Sequence, residues 1–241
     1  MKFAAISYNI KPGFDDEVAE IFSPANFKRA SSPVIRNGSG KVVGHIIGTG
    51  LFLRGDSMAR IVQYDGELDD VARHMAAQDG VHEAERVIQQ YLQTPRDTET
   101  EAGFMAYFHR STMTCLAQRI HDDQPLSAIT AITERVPAES ADALRDILAD
   151  AWPAVTGIRG GRVAAALAFL FEDKLIRGLV YTGDLDDVLY ALDSAGQARI
   201  EEKIAALTGR GSSGLSFRDA FRAKEMRCLS CLSIGMLAAG R

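Results

Sequence analysis

All five histidines of the chain, His45, His74, His82, His109 and His121, fall in its first half. An imidazole titrates near neutral pH and can take up a proton and return it, as general acid–base catalysis requires. His74 is the leading candidate. It follows Val71 by three residues and precedes Gln78 by four, so on a helix the three share a face directed at the space between helix and sheet. A solvent-facing histidine beside Arg73 is the plainer alternative. His45 alternates with Ile47 and Thr49, which on a strand points it into the same space, although a packed structural histidine fits equally well. His82, His109 and His121 fall at expected element ends, where exposure is the default.

Arg60 and Tyr64 share one strand face with Met58 and Val62. A fixed guanidinium can hold an enolate or carboxyl oxygen, and a phenol can donate to a developing oxyanion. The pair recurs as Arg177 and Tyr181, which favours a structural role such as fixing the strand to the following helix. Asp69-Asp70 and Asp186-Asp187 resemble catalytic carboxylate pairs, but each falls in a helix's first turn, where negative charge is favoured anyway. Ser7 and Asn9 are polar positions on a strand, able to bond a hydroxyl or quinone oxygen or to sit at a wet rim. Phe104, Tyr107 and Phe108 follow the loop Thr94–Gly103 and are placed to line or cover a pocket; core packing suits Phe104 and Phe108 better.

Other motifs carry no chemistry. Cys228-Leu-Ser-Cys231 has redox or zinc spacing, but on a strand residues three apart face opposite ways. Cys115, matching Cys228, reads as a small buried hydrophobe. His74 and His82 lack the i,i+4 spacing of a helical metal site. The glycines at 38–40, 48–50 and 209–214 do not join a strand to a helix as a phosphate loop does. No cofactor and no metal is expected.

The elements that position these residues come in duplicate. Tyr64-Asp-Gly-Glu-Leu-Asp-Asp-Val71 recurs as Tyr181-Thr-Gly-Asp-Leu-Asp-Asp-Val188, and Phe104, Phe108, Met113 and Cys115 recur as Phe217, Phe221, Met226 and Cys228, in the same order. The joint falls in His121–Pro125, giving domains 1–121 and 126–241. Each half reads β-α-β-β-α-β. In the first half, strands are expected at Phe3–Ile10, Lys41–Arg54, Met58–Asp65 and Thr112–Ile120. Helices are expected at Asp15–Phe22 and at Leu68–Leu92, the latter interrupted at Asp79-Gly80. The second half repeats this with Ala128–Val136, Ala141–Trp152, Arg162–Phe171, Leu175–Tyr181, Leu185–Leu207 and Met226–Ser233. This is the ferredoxin-like plait. Its strands are apolar on both faces, as at Val163–Phe171, so both sides need cover. The expectation is an α+β fold of tandem ferredoxin-like repeats forming an intramolecular dimeric α/β barrel. His74 matches Ala191 and His45 matches Arg162, which points to a working first half and a scaffold second half.

The chain has 241 residues, 46% of them hydrophobic and 24% charged, enough to bury a core without disulfides. Net charge is −5 and there is no Lys/Arg run, which argues against a nucleic-acid groove or an anionic membrane surface. The apolar stretch Phe3–Ile10 is broken by Ser7 and Asn9 and ends at Lys11-Pro12, so no signal peptide is expected. Val163–Phe171 and Cys228–Ala239 are too short to span a bilayer. With three cysteines, no disulfide framework is expected, and a cytoplasmic location is.

The runs Ala4-Ala-Ile-Ser-Tyr-Asn-Ile-Lys-Pro-Gly13, Val71-Ala-Arg-His-Met-Ala-Ala-Gln78, Pro95-Arg-Asp-Thr98, Gly103-Phe104 and Met113-Thr-Cys115 resemble the SchA/CurD-like family of aromatic (type II) polyketide and spore-pigment gene clusters. The likeness covers residues 1–120; beyond them it rests on the repeat. It implies kinship with the antibiotic-biosynthesis monooxygenase superfamily, whose barrels include cofactor-free oxygenases and ring cyclases. It therefore implies an aromatic polyketide substrate, possible contact with other polyketide synthase pathway proteins, and a monomer or homodimer. The expected activity is cofactor-independent aldol cyclisation. The alternatives are cofactor-free oxygenation of a polycyclic phenol and a non-catalytic accessory role.

Overall fold

The structure, a computed structural model, describes residues 1–23, 26, 32–121, 128–151, 161–194, 197–209 and 214–233. Most of the expected joint (122–125), Trp152 and part of the glycine-rich stretch at 210–213 lie outside these.

The first repeat opens with β1 (Lys2–Asn9), which gives way to a turn at Pro12-Gly13, where Gly13 takes a φ of +85°. Helix α1 (Asp15–Ile21) follows, its three acidic residues in the turn where the helix dipole favours them. Then come β2 (Val34–Arg36), β3 (Val42–Arg54) and β4 (Ser57–Asp65), the last two joined across Gly55-Asp56. The expected long helix is two, α2 (Leu68–Ala76) and α3 (Asp79–Ile88). The break lies at Ala77-Gln78, and Asp79 begins α3 instead of interrupting a helix. Helix α4 (Glu101–Ser111) was not expected as an element. The Thr100 hydroxyl caps it by accepting from the Gly103 N–H, and Phe104 and Phe108, four apart, anchor its buried side. The repeat ends in β5 (Thr114–Ile120).

The second repeat follows the same plan with β6 (Ala128–Arg135), α5 (Ala141–Ala151), β7 (Gly161–Phe171), β8 (Lys174–Gly183), α6 (Leu185–Ser194), α7 (Ala198–Leu207), α8 (Phe217–Lys224) and β9 (Arg227–Ser233). Val163–Leu170 are all buried, so β7 is covered on both faces, as its unbroken apolar run requires. Gly44 and Gly161 hold matching positions in the two repeats. A Cβ at either would run into a backbone carbonyl, of Asp65 or Thr182.

The closing strands depart from the expected domains. In the first sheet, β1, β4 and β3 lie side by side, and the outer edge of β3 carries β2 at one end and β9 at the other. The second sheet runs β5-β7-β8-β6. Each repeat thus lends its last strand to the other's sheet. The compact units are Met1–Met113 with Arg227 onward, and Thr114–Met226; they do not follow the expected division 1–121 and 126–241. The departure occurs at equivalent residues. Thr112 bridges Ile6 and the Met113 N–H donates to Ala5, while Glu225 bridges Ile132 and the Met226 N–H donates to Ala131. After one residue of contact with its own first strand, each chain segment leaves. Cys115 and Cys228 then fall at the starts of edge strands and are exposed, which corrects the buried role expected of them.

Candidate active site

In the first sheet, the rungs Ala4–Val62–Thr49, Ile6–Arg60–Leu51 and Tyr8–Met58–Leu53 place these side chains on one face. Most of them belong to the apolar core shared with α2, α3 and α4. Arg60 is a cation in a row otherwise made of Met58, Val62 and Tyr64. On α3, the stripe Val81, Ala84, Glu85 and Ile88 turns toward the core, bringing one carboxylate with it.

Between this sheet face and helices α2 and α3 lies a cavity of about 100 Å³, lined mainly by apolar groups, with Arg60, Thr49, His74, Gln78 and Glu85 among its polar ones. The exchanged strand β9 contributes Leu232 and Ser233 to its wall. The buried Arg60 Nε and Thr49 Oγ1 have no hydrogen-bond partner among the described residues. A buried donor left unmade costs about 1–3 kcal/mol, so these atoms favour a ligand that bonds to them. His74 is half-buried, its Nε2 2.9 Å from the Ser32 carbonyl oxygen. A carbonyl can only accept, which assigns the proton to Nε2 and leaves Nδ1 as the basic nitrogen of the neutral ring. The Gln78 amide donates to the His74 carbonyl at 3.3 Å.

Beside the cavity, Arg96 is buried and ion-paired with Glu85, and its guanidinium carbon lies 4.0 Å from the Tyr107 ring centroid and 4.7 Å from that of Tyr8. Gln89 bonds the Arg96 backbone on both sides. The Tyr107 hydroxyl donates to the Ser7 carbonyl at 3.2 Å, and burial pushes its phenol up to about 12 against the pull of Arg96. Burial also raises Glu85, opposed by Arg96, Arg60 and His82. His82 is held between the Thr98 and Ala76 carbonyls.

Of the candidate residues read from sequence, His74, Arg60 and Gln78 meet at the cavity. Tyr64 shares the strand face but is packed in the core outside the lining. His45 is turned away. A bulge between Ile46 and Gly48 breaks the alternation, so Thr49 rungs with Val62 on the cavity face while His45 rungs with Asp65 on the other. There its backbone N–H and Nδ1 both meet the Asp65 carboxylate. Ser7 and Asn9 rung with Ala59 and Ser57 on that same opposite face. Phe104 and Phe108 stack in the core, centroids 6.3 Å apart, and Tyr107 serves Arg96. Asp70 pairs with Arg73 at 2.9 Å, and Asp69 faces His109 at 3.7 Å. Glu85, Arg96, Tyr8 and Thr49 were not anticipated. Glu85 was detectable as the lone acid in an i, i+3, i+4, i+7 apolar stripe; Arg96, in an irregular loop, offers no periodicity.

The second unit treats its matching arginine differently. Arg177 is buried and bonds Glu201 at 2.5 Å and Glu134 at 2.6 Å, and Lys224 reaches the same two carboxylates at 2.7 and 2.8 Å. Burial works to raise Glu201, but Arg177 and Lys224 outweigh it and hold the carboxyl at about 2, below the ordinary 4.5. A depressed acid stabilises the fold above its unfolded pKa and loses that contribution as pH falls through the folded value. Stability should therefore drop between about pH 4.5 and 2, by on the order of 3 kcal/mol at about 1.4 kcal/mol per unit. Urea midpoints of the parent and of Glu201→Gln across that range check this: the drop should be smaller in the variant.

Comparison with known proteins assigns the first repeat to a family. Residues 1–120 match the model of the SchA/CurD like domain, and the chain carries that domain across its first repeat. Among its relatives are the 42.8 kDa protein in the whiE locus of Streptomyces coelicolor, 25% identical over 76% of this chain and 45% of that protein, and polyketide synthase CurD of Streptomyces cyaneus, 24% identical over 81% and 52%. Protein SchA of Streptomyces halstedii is 25% identical over 72% and 44%. The chain spans about half the length of these relatives. A solved anthrone oxidase-like protein superposes over 97% of this chain and 93% of its own with a TM-score of 0.42 and 10% identity. Among the described residues, no helix is long and apolar enough to cross a membrane.

Proposed function

We propose that the first unit is a cofactor-independent catalyst that closes one ring of a polyketide intermediate by aldol cyclisation. One observation carries the reading: the Arg60 Nε and Thr49 Oγ1, without hydrogen-bond partners among the described residues, belong to the lining of the same apolar cavity as half-buried His74, whose Nε2 is engaged by the Ser32 carbonyl. The name of one relative, polyketide synthase CurD, supports a polyketide as the small-molecule partner. The cavity's size refines it. At about 100 Å³ the cavity is smaller than an engineered one of about 150 Å³ that holds benzene, so it encloses at most one ring of the substrate.

In this mechanism His74 Nδ1 takes a proton from the carbon between two carbonyl groups, and the enolate oxygen settles on Arg60 with Thr49 as a second donor. The enolate carbon attacks a ketone carbon held close by the walls, forming the new carbon–carbon bond. The resulting alkoxide takes the proton back from His74, and loss of water gives the conjugated ring. His74→Ala is expected to lower kcat by about 10²–10⁴ with little change in KM, partly rescued by added imidazole. The assay offers a poly-β-ketone analogue under an oxygen electrode. Ring closure without oxygen uptake supports the proposal, whereas uptake in the absence of added cofactor would replace it with an oxygenase. Unchanged products from folded His74→Ala and Arg60→Ala would reduce the protein to an accessory role.

A further inference from the structure

The duplication provides an internal control for the cavity. Arg60 rungs with Ile6 as Arg177 rungs with Ile132, so the two arginines are equivalent, and two residues further on Tyr8 stands where the second unit has Glu134. Glu85 precedes the buried Ile88 by three residues on α3 as Glu201 precedes the buried Ile204 on α7. Phe104 and Phe108 match Phe217 and Phe221, which puts Ser111 in the place of Lys224. In the second unit the cluster is balanced: two cations, Arg177 and Lys224, each touch both carboxylates. In the first unit Arg96 takes the second cation's part, but Glu85 is the only carboxylate of the cluster among the described residues, and Arg96 pairs with it directly while Arg60 acts on it only at longer range. Tyr8 offers a ring to Arg96 where Glu134 offers a charge to Arg177. The Nε atoms of Arg60 and Arg177 both lack an acceptor among the described residues, but Arg177 carries carboxylates on its other two nitrogens, whereas no ion pair to Arg60 is formed among the described residues. Arg60 is half-buried where Arg177 is fully buried, and a charge partly withdrawn from water favours a counter-charge; the second unit shows which one this fold uses.

We propose that the first-unit cavity binds its ligand as an anion, a carboxylate, enolate or phenolate oxygen on a single ring, which takes the place at Arg60 that Glu134 holds at Arg177. This rests on the catalytic reading's site and on its contact between Arg60 and an enolate oxygen, and deepens it by making the ligand an anion when it binds, before any proton is moved. Calorimetric titration with 2-hydroxybenzoate and with its neutral amide tests it. The acid should bind at least tenfold tighter than the amide. Tyr8→Glu, which supplies the second unit's carboxylate in cis, should erase that preference, and Tyr8→Phe should keep it. If Tyr8→Glu does not fold by circular dichroism, Arg60→Gln reads the same point and should also lose the preference. Equal binding of acid and amide, no binding of either, or a preference that survives both Tyr8→Glu and Arg60→Gln overturns the proposal. Charge selectivity without turnover would sink the catalytic reading alone; turnover without charge selectivity would sink this one alone.

Discussion

Replacing Arg177 with methionine is expected to destabilise the second unit by about 3–5 kcal/mol, comparable to the whole stability of a small domain. The side chain is among the largest fully buried ones, and it is the shared partner of Glu134 and Glu201, carboxyls that are themselves almost wholly buried. Methionine fills the volume but leaves two carboxylates facing one lysine. One of them must then be protonated or hydrated, and either requires the packing between β6, β8 and α7 to open. Chemical denaturation followed by circular dichroism measures the loss. The triple replacement Arg177→Met, Glu134→Met, Glu201→Leu should recover part of it, because removing all the buried charge avoids the orphaned group. A loss below about 1 kcal/mol for Arg177→Met alone would mean that water already screens the cluster.

Deleting residues 227–241 should abolish the first-unit site without touching His74 or Arg60. β9 pairs with Gly48 through Leu53 of β3, and its Leu229 packs against the first core while Leu232 and Ser233 close the cavity wall. Losing several net backbone bonds at about 1 kcal/mol each, together with buried leucine surface, costs on the order of 5 kcal/mol locally. Hydrogen exchange at the Gly48–Leu53 amides should become fast, and His74-dependent turnover should vanish. A synthetic peptide of residues 227–233 supplied in trans should restore both in part. Unchanged protection of those amides in the shortened chain would show that β9 is dispensable.

Much of the fold was legible because the duplicated blocks are themselves structural. Tyr64–Val71 and Tyr181–Val188 each run from the end of a strand through a turn into a helix, so matching them aligned both repeats at once. His74 is among the residues that line the cavity, a position that spacing within one helix is enough to indicate. His45 was misplaced because a single inserted residue at the Ile46–Gly48 bulge reverses every later position on a strand, and nothing in the local sequence marks it. The exchange of β5 and β9 was hidden for a related reason: which edge a strand joins is decided by tertiary contacts, and Met113 and Met226 carry no turn signal. The buried charge clusters join residues from separate elements, as in Glu134, Arg177, Glu201 and Lys224. Arg60 and Arg177 therefore looked alike in sequence, and only their surroundings separate them.

The exchange of closing strands also fixes an order of events during translation. As the first repeat emerges from the ribosome it can form β1, β3 and β4, but the edge of β3 stays open until β9 has been made, after the whole second repeat. A nascent chain halted anywhere before residue 227 has the histidine and the arginine of the chamber and lacks part of its wall. The second unit, complete once α8 has docked, waits for nothing downstream. The route of the chain itself thus makes the complete cavity wall one of the last parts of the first unit to form.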